Sequence, residues 1–258
     1  LQILYPYYEQ AAQTLGRMEV FVRSREKERL AALGEMSAGL AHEIRNPLGA
    51  IKGAAQFLDP SGDRPDSRFL RVIIEETDRL NRVVTQFLDY SKPFSAEFVS
   101  TDVVRLVERS LDYLKPSLST EVSLKFSPSV RPAWVQAAPE QLQQVIVNLV
   151  LNSLKAIEAR PEGLTGGLIQ VEIEVSGPRG GGEVMISVED NGIGIPRENL
   201  DKLFIPFFTT RPSGTGLGLS ISQRIVEAHR GRIEVSSEEG RFSRFSVILP
   251  YKEPLQGA

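Results

Sequence analysis

Apolar residues fall three and four apart along Leu30, Leu33, Ser37, Leu40, Ile44, Leu48, Ile51, Ala55 and Leu58, and again along Leu70, Ile73, Thr77, Leu80, Val84 and Phe87. That spacing lays one stripe along a helix and suits contact with a second helix. Between the runs, Asp59 to Asp66 contains Pro60, Gly62 and Pro65, a turn by composition. The chain therefore begins with an antiparallel helical hairpin, its first helix extending over about residues 9 to 58 and weakly patterned at Leu15, Met18 and Val22. Two amphipathic helices cover only a narrow stripe of each other, so a second copy is expected to complete a dimeric four-helix bundle.

At Lys92-Pro93 the helix cannot continue, and shorter helices begin to alternate with strand-like runs. Helices are predicted from Thr101 to Leu118, Pro139 to Arg160 and Thr215 to Arg230. Strands are predicted at Glu121 to Phe126, Trp134 to Gln136, Leu168 to Glu174, Glu183 to Asp190 and Arg232 to Pro250, the last a hairpin turning at Glu239-Gly240. The run at 177 to 182 reads as a loose hairpin loop. The class is multi-domain α+β, a helical hairpin followed by an α/β sandwich. Three segments follow: a signalling helix or linker at 1–29, a hairpin domain at 30–95 and a sandwich domain at 100–252, with the boundary between Ser91 and Ser100.

Composition narrows the function. A net charge of −3, with both signs interspersed, gives no footprint for nucleic acid or a membrane surface. The absence of cysteine removes disulfides and thiolate metal sites and agrees with a reducing, cytoplasmic setting. No stretch approaches a membrane span, and the first residues are too short and too uncharged for a signal peptide. The chain reads as a fragment of a larger, membrane-anchored or soluble sensor.

Four stretches carry chemistry. Residues 41 to 48 read Ala-His-Glu-Ile-Arg-Asn-Pro-Leu, and His42 is one of two histidines in the chain. It lies off the apolar seam, with Asn46 four residues on sharing its face, so imidazole and carboxamide point to solvent together. Asn148, Asn152 and Lys155 share one face of a helix, where hard carboxamide oxygens suit Mg²⁺ and the ammonium suits phosphate; the same trio could be a plain polar face. Asp190-Asn191-Gly192-Ile193-Gly194 ends a strand, where a carboxylate can accept from the exocyclic amine of a purine, although Asp-Asn-Gly is also a common tight turn. Gly214-Thr215-Gly216-Leu217-Gly218 precedes a helix whose bared amides can hold phosphate, without the βαβ context of a dinucleotide fold. Between the last two, Leu203-Phe204-Ile205-Pro206-Phe207-Phe208-Thr209-Thr210-Arg211 carries three exposed-looking phenylalanines that suggest a lid or an ordinary aromatic core.

In this order the stretches resemble the sensor histidine kinases of two-component systems, over about residues 30 to 250. The resemblance implies a dimerisation and phosphotransfer hairpin joined to a Bergerat-type ATP-binding domain with a compact lid, acting on ATP with Mg²⁺, forming a homodimer and passing phosphate to the receiver domain of a response regulator. It implies His42 as the nucleophile for the γ-phosphoryl group, Glu43 as general base and Asn46 as the orienting group for a water that removes phosphate from the partner. It implies Asn152 as principal Mg²⁺ ligand with Asn148 beside it, Lys155 on phosphate and Asp190 on adenine. Gly192, Gly194, Phe204, Thr210, Gly214, Thr215, Gly216, Leu217 and Gly218 would shape the pocket. The related ATPases carry glutamate at the helix position of Asn148, and a carboxamide cannot take a proton from water. That opposes the rival reading, a Bergerat-type ATPase acting as a conformational clamp without phosphohistidine, and the intact pocket set opposes a vestigial scaffold.

Departures from the family are local. Ala137-Ala138 stands where aspartate usually opens the helix, so an N-cap bond worth ~1 kcal/mol is expected to be missing. Ser153 replaces a small apolar residue and is expected to be tolerated. His229, before Arg230-Gly231, reads as a structural residue in a last helical turn.

Overall fold

The computed structural model describes residues 44–55, 67–91, 97–161, 166–177, 181–211 and 214–252. They divide into two compact units, Leu1–Ser91 and Lys92–Ala258. In the first, residues 44–55 (α1) and Ser67–Ser91 (α2) are helical. The predicted helix before residue 44 and the turn at Asp59 to Asp66 lie outside the described residues. Burial refines the seam: Pro47, Ala54 and Val83 are buried, while Leu48, Leu70, Val84 and the off-seam Ile74 are exposed. The stripe written in the sequence is wider than the surface that one chain covers.

The second unit has two layers. A five-stranded mixed sheet runs in the order β2-β4-β5-β7-β6, where β2 is Val122–Pro128, β4 Gly167–Ser176, β5 Glu183–Asp190, β6 Arg232–Glu238 and β7 Phe242–Pro250. Only β2 and β4 pair in parallel; the other neighbours are antiparallel. Helices α3 (Val103–Leu114), α4 (Pro139–Glu158) and α6 (Gly218–Ala228) build the other layer, with α4 against β4 and β5 and α6 against β6 and β7. Alternation explains which face meets them. Ile169, Val171 and Ile173 of β4, Val184, Ile186 and Val188 of β5 and Phe245, Val247 and Leu249 of β7 are all buried. On α4 the stripe Leu142, Val145, Ile146, Leu149 and Val150 answers them at helical spacing. The opposite sheet face is charged, with Arg244 paired to Glu189 (2.5 Å) and Glu172 (3.4 Å).

Two elements differ from the sequence expectation. The stretch expected to start a helix at Thr101 first forms a strand, β1 (Val99–Asp102), paired antiparallel with β3 (Trp134–Ala137). Asp102 explains the change: its carboxylate accepts the N–H of Val104 (3.1 Å), capping α3, and the N–H of Ala133 (3.2 Å), fastening the small sheet. A single-turn helix, α5 (Arg197–Leu200), falls in a segment given no element from sequence. The hairpin β6–β7 turns between Glu238 and Phe242, as expected.

Candidate nucleotide site

The strand β5 alternates Val184, Ile186, Val188 toward the helices, and the next inward position is Asp190. A carboxylate thus occupies a core position, only 3% exposed. Ser153 on α4 donates to its Oδ2 (2.9 Å), and the N–H of Gly192 donates to its Oδ1 (2.9 Å). Burial pushes its pKa up, opposed by these two hydrogen bonds and by the charge of Arg211. A carboxylate offers about four lone-pair positions, so acceptor capacity remains after both bonds.

The turn after Asp190 is pressed onto α4. Ile193 donates to the carbonyl of Ala156 (3.1 Å), and a Cβ at Gly192 would come within 2.6 Å of the Ala156 backbone. A Cβ at Gly194 would meet the Glu238 carbonyl at 2.1 Å. At both glycines a side chain would collide with protein backbone, so the turn needs residues without one. Asn191 continues the pairing of β5 with β4, its carboxamide accepting from Leu168 N–H (2.7 Å) and donating to the Gly166 carbonyl (3.0 Å).

On α4, Asn148 and Asn152 are half-buried and Lys155 is exposed. The Asn148 Nδ2 donates to Ser222 of α6 (2.9 Å), which turns its oxygen toward Gly218, where a Cβ would stand 2.5 Å from Oδ1. The Asn152 carboxamide makes no hydrogen bond among the described residues, while its backbone carbonyl accepts from Arg211 (3.2 Å). Gly216 has φ +66°, and a Cβ there would lie 2.3 Å from the Phe207 backbone; Phe207, itself at φ 65°, donates to the Gly216 carbonyl (3.0 Å). The phenylalanine segment and the glycine loop are therefore one clasped unit. Phe204, Phe207 and Phe208 are half-buried rather than exposed, Thr210 is exposed, and Leu217 is a core side chain that can offer a ligand only its backbone. Gly214 packs on Thr209, whose hydroxyl accepts from Arg211 N–H (3.1 Å). Thr215 is half-buried, and its hydroxyl accepts from the N–H of Leu217 (3.5 Å).

Ser153, Ser222 and Arg211 were given no role from sequence. A hydroxyl one residue past Asn152, at a position the helix stripe buries, was the available signal for Ser153. Asn46 stands exposed on α1, as expected, and His42 and Glu43 lie outside the described residues.

Residues 137–253 match the family of histidine kinase-, DNA gyrase B- and HSP90-like ATPases, and residues 32–93 match the His Kinase A phospho-acceptor domain. The sensor histidine kinase ZraS of Escherichia coli (strain K12) is 41% identical over 230 residues, which is 88% of this chain and 47% of that protein. AtoS, a signal transduction histidine-protein kinase of the same strain, is 38% identical over 243 residues, 91% of this chain and 38% of that protein. The chain belongs to the two-component sensor histidine kinases. Among solved structures, the histidine kinase ThkA in complex with the response regulator protein TrrA aligns with TM-score 0.71 and 32% identity, covering 87% of this chain and 63% of that one. The catalytic domain of ThkA alone aligns with TM-score 0.52 and 29% identity, covering 60% of this chain and 97% of that one. The second unit of this sensor kinase chain is an ATP-binding domain. The chain spans about half the length of the ZraS proteins it matches.

His229, the other histidine, is structural. It is buried, its Nδ1 donates to the Ile225 carbonyl (2.7 Å), and its Nε2 accepts from the N–H of Ala138 (3.0 Å), the residue that opens α4. The missing side-chain cap is real, but the backbone amide beside it is satisfied from α6's end.

Proposed function

We propose that the chain uses ATP to phosphorylate itself on His42 and passes the phosphoryl group to an aspartate of a response regulator, as one subunit of a homodimer. One observation carries the reading: a phospho-acceptor domain spanning His42 precedes an ATPase domain whose α4 carries asparagine, not a carboxylate, at position 148. Without a base at position 148 to activate water, the γ-phosphoryl group is kept for a better nucleophile. The lone pair of neutral His42 attacks the γ-phosphorus, the bond to the β–γ bridging oxygen breaks, ADP leaves, and Glu43 takes the proton from the other ring nitrogen.

Asp190 accepts from the adenine amine, the N-terminal end of α6 with Gly214, Gly216 and Gly218 faces phosphate, and Lys155 adds positive charge. The donor set fits Mg²⁺: Asn152 has a carboxamide with no protein partner among the described residues, and Asn148 is oriented by Ser222. Held by these two carboxamides, the ion would neutralise phosphate charge. The exposed apolar residues Leu48, Leu70, Ile74 and Val84 support the homodimer. The exposed Asn46 supports a phosphatase activity toward the phosphorylated regulator, in which the carboxamide orients water. The domain assignment of 30–95 to phosphotransfer and 100–252 to nucleotide chemistry belongs to this reading, as do a cytoplasmic setting and the absence of membrane contact.

Incubation with γ-labelled ATP and Mg²⁺ tests it. Acid-labile, alkali-stable label should appear on the wild-type chain and vanish in His42→Ala; nucleotide binding with dimer closure but no label would instead support the clamp.

A further inference from the structure

We propose that Ser153 is a positioning residue that holds Asp190 as a pure hydrogen-bond acceptor and thereby sets the preference of the site for adenine over guanine nucleotides. The inference rests on the nucleotide reading above.

Ser153 is buried on α4, 1% exposed. A buried helical serine usually returns its proton to the carbonyl one turn back, and Ser110 of α3 does so, donating to Leu106 (2.8 Å). Ser153 reaches across to Asp190 Oδ2 instead (2.9 Å). Gly192 N–H occupies the other oxygen. Both carboxylate oxygens are thus fixed as acceptors, and hydrogen bonds to the charged form favour that form against the burial that opposes it.

The consequence is a recognition rule. Adenine presents an amine donor where guanine presents a carbonyl acceptor. A charged, acceptor-only Asp190 attracts the first and repels the second, whereas a protonated Asp190 could donate to the carbonyl. Removing the serine hydroxyl deletes one of the two bonds that keep the proton away. Gly192 cannot replace it, because its amide already serves Oδ1. Loss of a hydrogen bond to a charged group corresponds to about tenfold and more in binding.

The experiment is equilibrium binding of ATP and of GTP, each with Mg²⁺, to the whole chain as wild type, Ser153→Ala, Ser153→Thr and Ser153→Cys. Wild type should prefer ATP. Ser153→Ala should weaken ATP about tenfold, weaken GTP less, and so compress the ATP/GTP ratio. Ser153→Thr, which keeps the hydroxyl, should restore the ratio even if the extra methyl lowers stability. Ser153→Cys, similar in volume but a weak donor, should fall between. Equal losses for both nucleotides, or an unchanged ratio in Ser153→Ala, would reduce Ser153 to packing and overturn the inference. A wild-type chain that does not prefer ATP would overturn the reading of Asp190 itself.

Discussion

Asp190 and His229 are both titratable, both buried, and both pushed by burial toward the uncharged form. They differ in what they have left to offer. The two ring nitrogens of His229 are both spent, one on Ile225 and one on Ala138, so nothing remains for a ligand. Asp190 has one bond on each oxygen and lone pairs to spare. A buried polar group whose capacity is exhausted belongs to the architecture, and one with capacity in reserve, at the open end of a strand, is available for recognition. The packing around them agrees: Phe98 lies against the His229 ring at 4.9 Å, whereas Asp190 is followed by a glycine turn.

The comparison can be broken at several points. The largest effect on stability is expected from His229→Ala, which strands the buried Ala138 N–H and removes the ring from its contact with Phe98; urea unfolding should show a loss of about 3 kcal/mol, with ATP affinity of the folded fraction unchanged. A comparable loss in nucleotide affinity would move His229 into the site.

The pH response sharpens the same contrast. The folded-state pKa of His229 lies below the ordinary value of about 6.5, so the unfolded chain binds the proton more readily. Its contribution is present above that ordinary value and lost as pH falls toward the depressed one. Thermal melts of the wild-type chain should therefore drop between pH 7.5 and 5.5, and His229→Gln should flatten that part of the profile. Asp190 works the other way. Its raised pKa means that ionisation opposes folding as pH rises above the unfolded value near 3.9, so Asp190→Asn should melt at or slightly above the wild-type temperature.

Ala138→Asp should give the smallest change, a gain of about 1 kcal/mol in urea unfolding from the cap that α4 lacks, with His229 still holding the Ala138 amide. No gain would mean that the bond from α6 already does all that a cap can do there.

Much of this was legible in the residues. The alternation Val184, Ile186, Val188, Asp190 puts a carboxylate in phase with a buried face, and the change from three-four spacing to alternation near Lys92-Pro93 separates the two units. The N-terminal strand β1 was not legible, because it is four residues long and its partner β3 lies more than thirty residues away. Asp102, read within a helix, is a cap and a fastener together. Nor was the work of the glycines visible: spacing marks where backbone comes close, but only the fold shows that Gly192 meets Ala156 and Gly216 meets Phe207. The partnerships of Ser153 and Ser222 join distant segments and leave no periodic trace. The seam residues Leu48, Leu70 and Val84 were legible as apolar, yet one chain leaves them exposed.

Titration of ATP into Asp190→Asn beside His229→Gln, each checked for intact fold by its melting curve, tests the central claim most directly. Asp190→Asn should lose ATP affinity by about a hundredfold or more while keeping its fold, and His229→Gln should bind ATP as the wild type does. Wild-type affinity in Asp190→Asn, or loss of binding in a folded His229→Gln, would contradict the distinction between spare and exhausted hydrogen-bonding capacity on which the site assignment stands.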